Sequence, residues 1–148
     1  QSLTLDPGSY GDIKLKYGAT LIFTGGTYYV KSIDVGMKAK VVFQAATKLV
    51  IDTHLKPGIL SEIGPEDGSS ITAKDILIYV HGQNGRTGKP WSFPQAVSFG
   101  IKSKVKANVF APNGTIRFHS FCTGEGAFIG KDVSIGVKSI ITLNTFFN

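Results

Sequence analysis

A strand-like unit recurs along this chain about every 20 residues, and that recurrence restricts the fold more than any other feature. Five segments align from their first apolar residue, beginning at Ile13, Ile33, Val97, Ile116 and Val133. Three of them, Ile33-Asp-Val-Gly-Met-Lys-Ala-Lys-Val, Val97-Ser-Phe-Gly-Ile-Lys-Ser-Lys-Val and Val133-Ser-Ile-Gly-Val-Lys-Ser-Ile-Ile, share an apolar-x-apolar-Gly-apolar-Lys-small spacing. Strict alternation at a period this short predicts an all-β coiled solenoid, in which each turn buries its inner face by stacking on the next. Between Ile13 and Val50 the offset reads as 20: Ile13 matches Ile33, Leu15 Val35, Ala19 Ala39, Leu21 Val41, Phe23 Phe43 and Val30 Val50. The segments Ile13 to Leu15, Leu21 to Phe23 and Tyr28 to Val30, separated by Gly18, Gly25 and Gly26, predict three short strands per coil and a triangular section.

One domain accounts for all 148 residues. Two irregular insertions interrupt the period, over about residues 53–75 and 81–96. The first is rich in turn residues such as Lys56-Pro57-Gly58 and Gly64-Pro65-Glu66-Asp67-Gly68. The second is a long loop for a compact domain, and any helix is expected to be a short cap.

The net charge of +6 comes from 14 Lys and only 2 Arg. Nucleic-acid readers depend on arginine for bidentate contacts, so no nucleic-acid partner is expected. No run approaches the roughly 20 apolar residues of a membrane-spanning helix. The single Cys122 rules out an internal disulfide and reads as a small packed residue.

The ten carboxylates are scattered, which argues against the clustered acids of polysaccharide-degrading solenoids. Asp12, Asp75 and Asp132 fall at strand starts, as corner caps would. Glu62, Glu66 and Asp67 form a local acidic group without calcium-ligand alternation. His54, His81 and His119 lack partners at metal-ligand spacing, so neither a metal nor another cofactor is expected. Asn113-Gly114-Thr115 reads both as an N-glycosylation signal and as a turn. Two features stand out as candidate ligand sites. Lys38, Lys102 and Lys138 occupy one repeat position, flanked by Lys104 and Lys106, and suggest a basic strip for an anionic polysaccharide. Trp91 and Phe93, between Pro90 and Pro94, could stack on a sugar, anchor a partner or cover an open face of the solenoid.

The phrases Leu3-Thr-Leu-Asp-Pro-Gly-Ser-Tyr-Gly-Asp, Gly25-Gly-Thr-Tyr-Tyr-Val, Ile76-Leu-Ile-Tyr-Val and Val109-Phe-Ala-Pro-Asn-Gly-Thr-Ile resemble a family of bacterial and archaeal extracytoplasmic β-helix domains found in secreted, pilus-associated and surface-anchored proteins. More distantly the chain is similar to the bactofilins, which polymerise end to end. The resemblance implies a right-handed parallel β-helix, an extracellular or cell-surface setting with any leader removed ahead of Gln1, and no catalytic residues. The chain departs from the family's pattern in the 81–96 loop and over Phe118 to Gly126.

These readings converge on a non-enzymatic, self-assembling structural subunit. Its partner is expected to be itself, through terminal strands carrying Leu3, Leu5, Ile140, Ile141, Leu143, Phe146 and Phe147, because uncapped coil ends leave backbone groups unpaired. A glycan-binding module using the Trp91 loop or the lysines is the alternative, and a polysaccharide lyase or hydrolase the third reading.

Overall fold

The computed structural model describes residues 1–145, so Phe146 and Phe147 lie outside the described residues. The first coil holds β1 (Ser2–Leu5) and β2 (Gly8–Leu15), the second β3 (Thr20–Phe23) and β4 (Gly26–Val35), and the third β5 (Lys40–Phe43), β6 (Thr47–Ile51) and β7 (Leu55–Pro57). The fourth contains β8 (Glu62–Pro65), a 3-10 turn at Ala73–Asp75, β9 (Ile76–Val80) and β10 (Val97–Phe99). β11 (Lys104–Lys106) and β12 (Asn108–Phe118) make the fifth coil, β13 (Thr123–Gly126) and β14 (Phe128–Ile135) the sixth, and β15 (Ile140–Leu143) opens the seventh.

Every strand pairing among the described residues is parallel and joins one coil to the next, as a β-solenoid requires. The first face is a seven-stranded ladder, β1-β3-β5-β8-β11-β13-β15. The other two faces share long strands that bend at their middle: Gly26 to Val30 of β4 pairs with β6, while Ile33 to Val35 pairs with β7. The section is therefore three-sided, as the glycine-separated segments predict.

Alternation decides what is inside. Leu21, Val41, Ile63 and Val105 form one buried column, and Ile33, Leu55, Val97 and Ile116 form another. The buried aromatics repeat the pattern, with Phe99 stacked on Phe118 at 4.7 Å between ring centres. Tyr28 fits among them because its hydroxyl donates to the Leu5 carbonyl at 2.8 Å.

Three sequence expectations need correction. Val30 pairs with Ile51, not Val50, because the bend between β5 and β6 holds three residues (44–46) where that between β3 and β4 holds two. Without that slip, one extra residue would turn the inner side chains of β6 outward. The stretch 53–75 is mostly regular coil: β7 and β8 lie in it, with Pro57 opposite Val35 and Pro65 opposite Phe43, so only residues 66–75 depart from the period. Proline is accommodated there because neighbouring ladder bonds, including Gly58 N–H to Val35 O and Glu66 N–H to Phe43 O, bracket it. Phe118 to Gly126 is likewise regular, passing from β12 through a standard corner into β13.

That corner recurs in each coil as a tight turn whose third residue has positive φ: Gly18, Lys38, Leu60, Lys102, Phe121 and Lys138, with φ between 58° and 68°. Their N–H groups continue the stacking across the corner; Lys38 N–H, for example, donates to the Ile59 carbonyl at 3.0 Å. The residue two places earlier is Gly36, Gly58, Gly100 or Gly136, where a Cβ would lie 2.6 to 2.7 Å from the backbone of the coil beneath. The shared Gly-x-Lys spacing is thus a corner signature rather than a ligand motif.

Candidate functional site

The lysines do not form a continuous strip. At the corner, Leu60 separates Lys38 from Lys102, and Phe121 separates Lys102 from Lys138. The side chains of Lys38 and Lys138 cross the rings of Tyr17 and Phe121, with Nζ 5.7 and 5.9 Å from the ring centres. Lys104 and Lys106 point outward from the first face, on another side of the corner. There Glu62 is registered between Lys40 and Lys104 and approaches Lys40 at 3.4 Å, so the ladder alternates in charge.

The 81–96 loop makes a more defined site. It leaves β9 and returns to β10, and in between it lies against the corner joining β6 to β7. Gly82 permits the contact, since a Cβ there would sit 1.8 Å from the Thr53 carbonyl oxygen. Asn84 holds the loop in place. Fully buried, it accepts hydrogen bonds from the N–H groups of Ala96 (3.0 Å) and Thr115 (2.9 Å), and donates to the Lys89 carbonyl (3.1 Å) and the Thr115 hydroxyl (2.7 Å). All four of its amide bonding directions are used.

Held this way, the loop builds a groove against the third face. One hollow of about 400 Å³ is lined by Asp34, His54, Lys56, Gln95 and Ser98, and an adjoining hollow of about 430 Å³ by Thr53, Gln83 and Arg86. Phe93 and Pro94 border both hollows, and so does His54. Alternation on β4, β7 and β10 turns Asp34, Lys56 and Ser98 outward in successive coils. His54 Nε2 meets Asp34 Oδ1 at 3.1 Å. In the next coil along, His119 Nε2 lies 3.3 Å from Ser98 Oγ. Burial, helped by the charge of Arg117, holds the His119 imidazole below its ordinary pKa.

Phe93 and Trp91 separate in role. Both are exposed, Phe93 at 68% and Trp91 at 69%, but Trp91 lines neither hollow and has Lys89 Nζ 5.6 Å from its ring centre. Asp34, His54, Lys56, Gln95 and Ser98 were not legible as a group, because they come from three coils and a loop far apart in sequence.

The other candidates resolve locally. Asp75 caps the 3-10 turn by accepting from Thr72 N–H at 2.9 Å, while Asp12 accepts from the Ser32 hydroxyl at 2.5 Å. Asn113 donates its side-chain amide to the His81 carbonyl at 2.9 Å, which is the turn reading of that motif. Cys122 is buried in the small-residue column of the corner, 3.4 Å from Ser103 Oγ. Among the described residues, no three His, Cys, Asp or Glu side chains come together as a metal would need, and no helix is long and apolar enough to cross a membrane.

At the ends of the rod, Leu3 and Leu143 are exposed and Leu5 and Ile141 half-buried, although all four belong to inward-facing columns; Ile140 points outward and is exposed. An open apolar hollow of about 460 Å³ at the far end is lined by Phe128, Val133, Ile135, Ile141 and Leu143.

No protein-family model, curated protein or solved structure matches this chain.

Proposed function

We propose that this chain is a structural subunit, without catalytic activity, that joins copies of itself end to end into a fibre or surface layer outside the cell. The observation that supports this reading is the match between the two ends. Among the described residues β1 pairs only with β3, and β15 only with β13, so each presents an open parallel edge. Ile141-Thr142-Leu143 of β15 repeats the apolar-Thr-Leu order of Leu3-Thr4-Leu5 in β1, and a second copy stacked in the same sense would continue both inward columns. Such a joint repeats without closing, because the two surfaces differ and the rod axis simply extends. It leaves one strand position open on each of the other two faces, since β15 stands one coil beyond β14. The resemblance to surface-associated β-helix domains points to the same role.

Sedimentation and negative-stain electron microscopy of the purified chain over a range of concentrations provide the test. Rods longer than a single solenoid, lost on Leu143→Glu, are the expected outcome. A species that stays monomeric at high concentration would exclude end-to-end assembly.

A further inference from the structure

We propose that the groove between the 81–96 loop and the third face binds a pyranose-based glycan, with one sugar seated between Phe93 and the Asp34–His54 pair. This does not depend on assembly, because the groove lies on the flank of the rod, away from both terminal coils. The inference starts from Gln95. It is 5% exposed and lines the groove, and its Nε2 donates to the Pro90 carbonyl at 2.9 Å, which fixes the amide orientation. Its Oε1, among the described residues, meets no donor. A buried amide oxygen without a partner is costly, and native structures seldom leave one without a water or ligand to serve it.

The surroundings specify the ligand's chemistry. Gln95 Oε1 and the Asp34 carboxylate need hydrogen-bond donors, whereas Lys56 is a donor and Ser98 and His54 can serve either way. Groups of both kinds within a hollow the size of one or two sugar rings match a ligand whose hydroxyls donate and accept at once. Phe93 adds the second requirement, an exposed ring on which the apolar C–H face of a pyranose can rest. A purely anionic ligand suits the groove less well, because Asp34 stands in the middle of it, registered between Lys14 and Lys56. Outward residues repeat about every 4.8 Å along the stacked coils, so the groove runs along the rod and admits a chain rather than a single sugar.

Titration calorimetry with two hexasaccharides, one from cellulose and one from polygalacturonate, tests the site on the intact chain. The shared pyranose chemistry predicts saturable binding of at least one, weakened tenfold or more by Phe93→Ala and by Asp34→Ala. Trp91→Ala and the end variant Leu143→Glu should bind as the parent does, which separates this site from the loop tip and from assembly. Preference for the galacturonate that disappears with Lys56→Ala would assign Lys56 to the sugar carboxylate. Unaltered thermal melting of Phe93→Ala, whose ring is exposed, shows that lost binding is not lost fold. Absence of saturable binding to both oligosaccharides, or equal affinity in Phe93→Ala, would overturn the proposal.

Discussion

Phe23 lies face to face with Phe43 one coil on, their ring centres 5.2 Å apart and their planes 14° from parallel. Residues 20 apart meet this way only where consecutive turns of a solenoid run parallel. Two sheets packed as a sandwich would bury both rings without placing one directly on the other.

Phe43 is fully buried and has Phe23 in register on one side and Pro65 on the other. Phe43→Ala should therefore cost about 3–5 kcal/mol, the range for emptying a buried aromatic site. Urea unfolding followed by circular dichroism measures it. A loss under about 1 kcal/mol would mean that the stacked rings contribute little.

Lys102 shares the positive-φ corner with Gly18, at φ 60°. Lys102→Gly relieves the left-handed strain but adds freedom to the unfolded chain, so stability should change by less than about 1 kcal/mol. Lys102→Val places a β-branched residue in that conformation and should cost roughly 1–3 kcal/mol. Melting temperatures of the two variants, compared directly, should rank Gly well above Val.

Asn84→Ala removes the acceptor for two buried N–H groups, those of Ala96 and Thr115. Each such orphan costs about 1–3 kcal/mol, so the variant should be destabilised by at least ~2 kcal/mol. Limited proteolysis should then cut within residues 81–96 faster than in the parent, and an unchanged cleavage pattern would show that Asn84 does not hold the loop.

Acid should weaken the fold in two steps. The His119 pKa is depressed below 6.5, so the folded form favours the neutral imidazole. Its stabilising contribution is complete above 6.5 and is lost as the pH falls through the lower folded value. Asp12 is held below 3.8, chiefly by the Ser32 hydroxyl, against opposing desolvation and with help from Lys31 and Lys14. Its contribution is present above 3.8 and disappears as the pH falls through its own folded value. Unfolding midpoints measured across the acid range should show that His119→Gln flattens only the upper step and Asp12→Asn only the lower.

The solenoid was legible from spacing alone because identical stacking forces repeat in each coil. Ile13, Ile33, Leu21 and Val41 had to recur at a fixed distance if each was to rest on the next. β7 and β8 escaped notice because Pro57, Gly58, Gly64 and Pro65 carry the composition of a loop, yet the neighbouring coils supply the pairing that local propensity withholds. The lysine row was real as a repeat but misleading as a surface, since the pattern reflects a turn that needs positive φ, and Leu60 and Phe121 meet that need between the lysines. The sequence by itself determined the period, the inward columns and the open apolar ends, all of which follow from alternation. Only the tertiary structure decided the groove. Asp34, His54, Lys56, Gln95 and Ser98 share no local pattern, and they meet because stacking brings distant coils to one coil's rise while Asn84 fastens a loop over them.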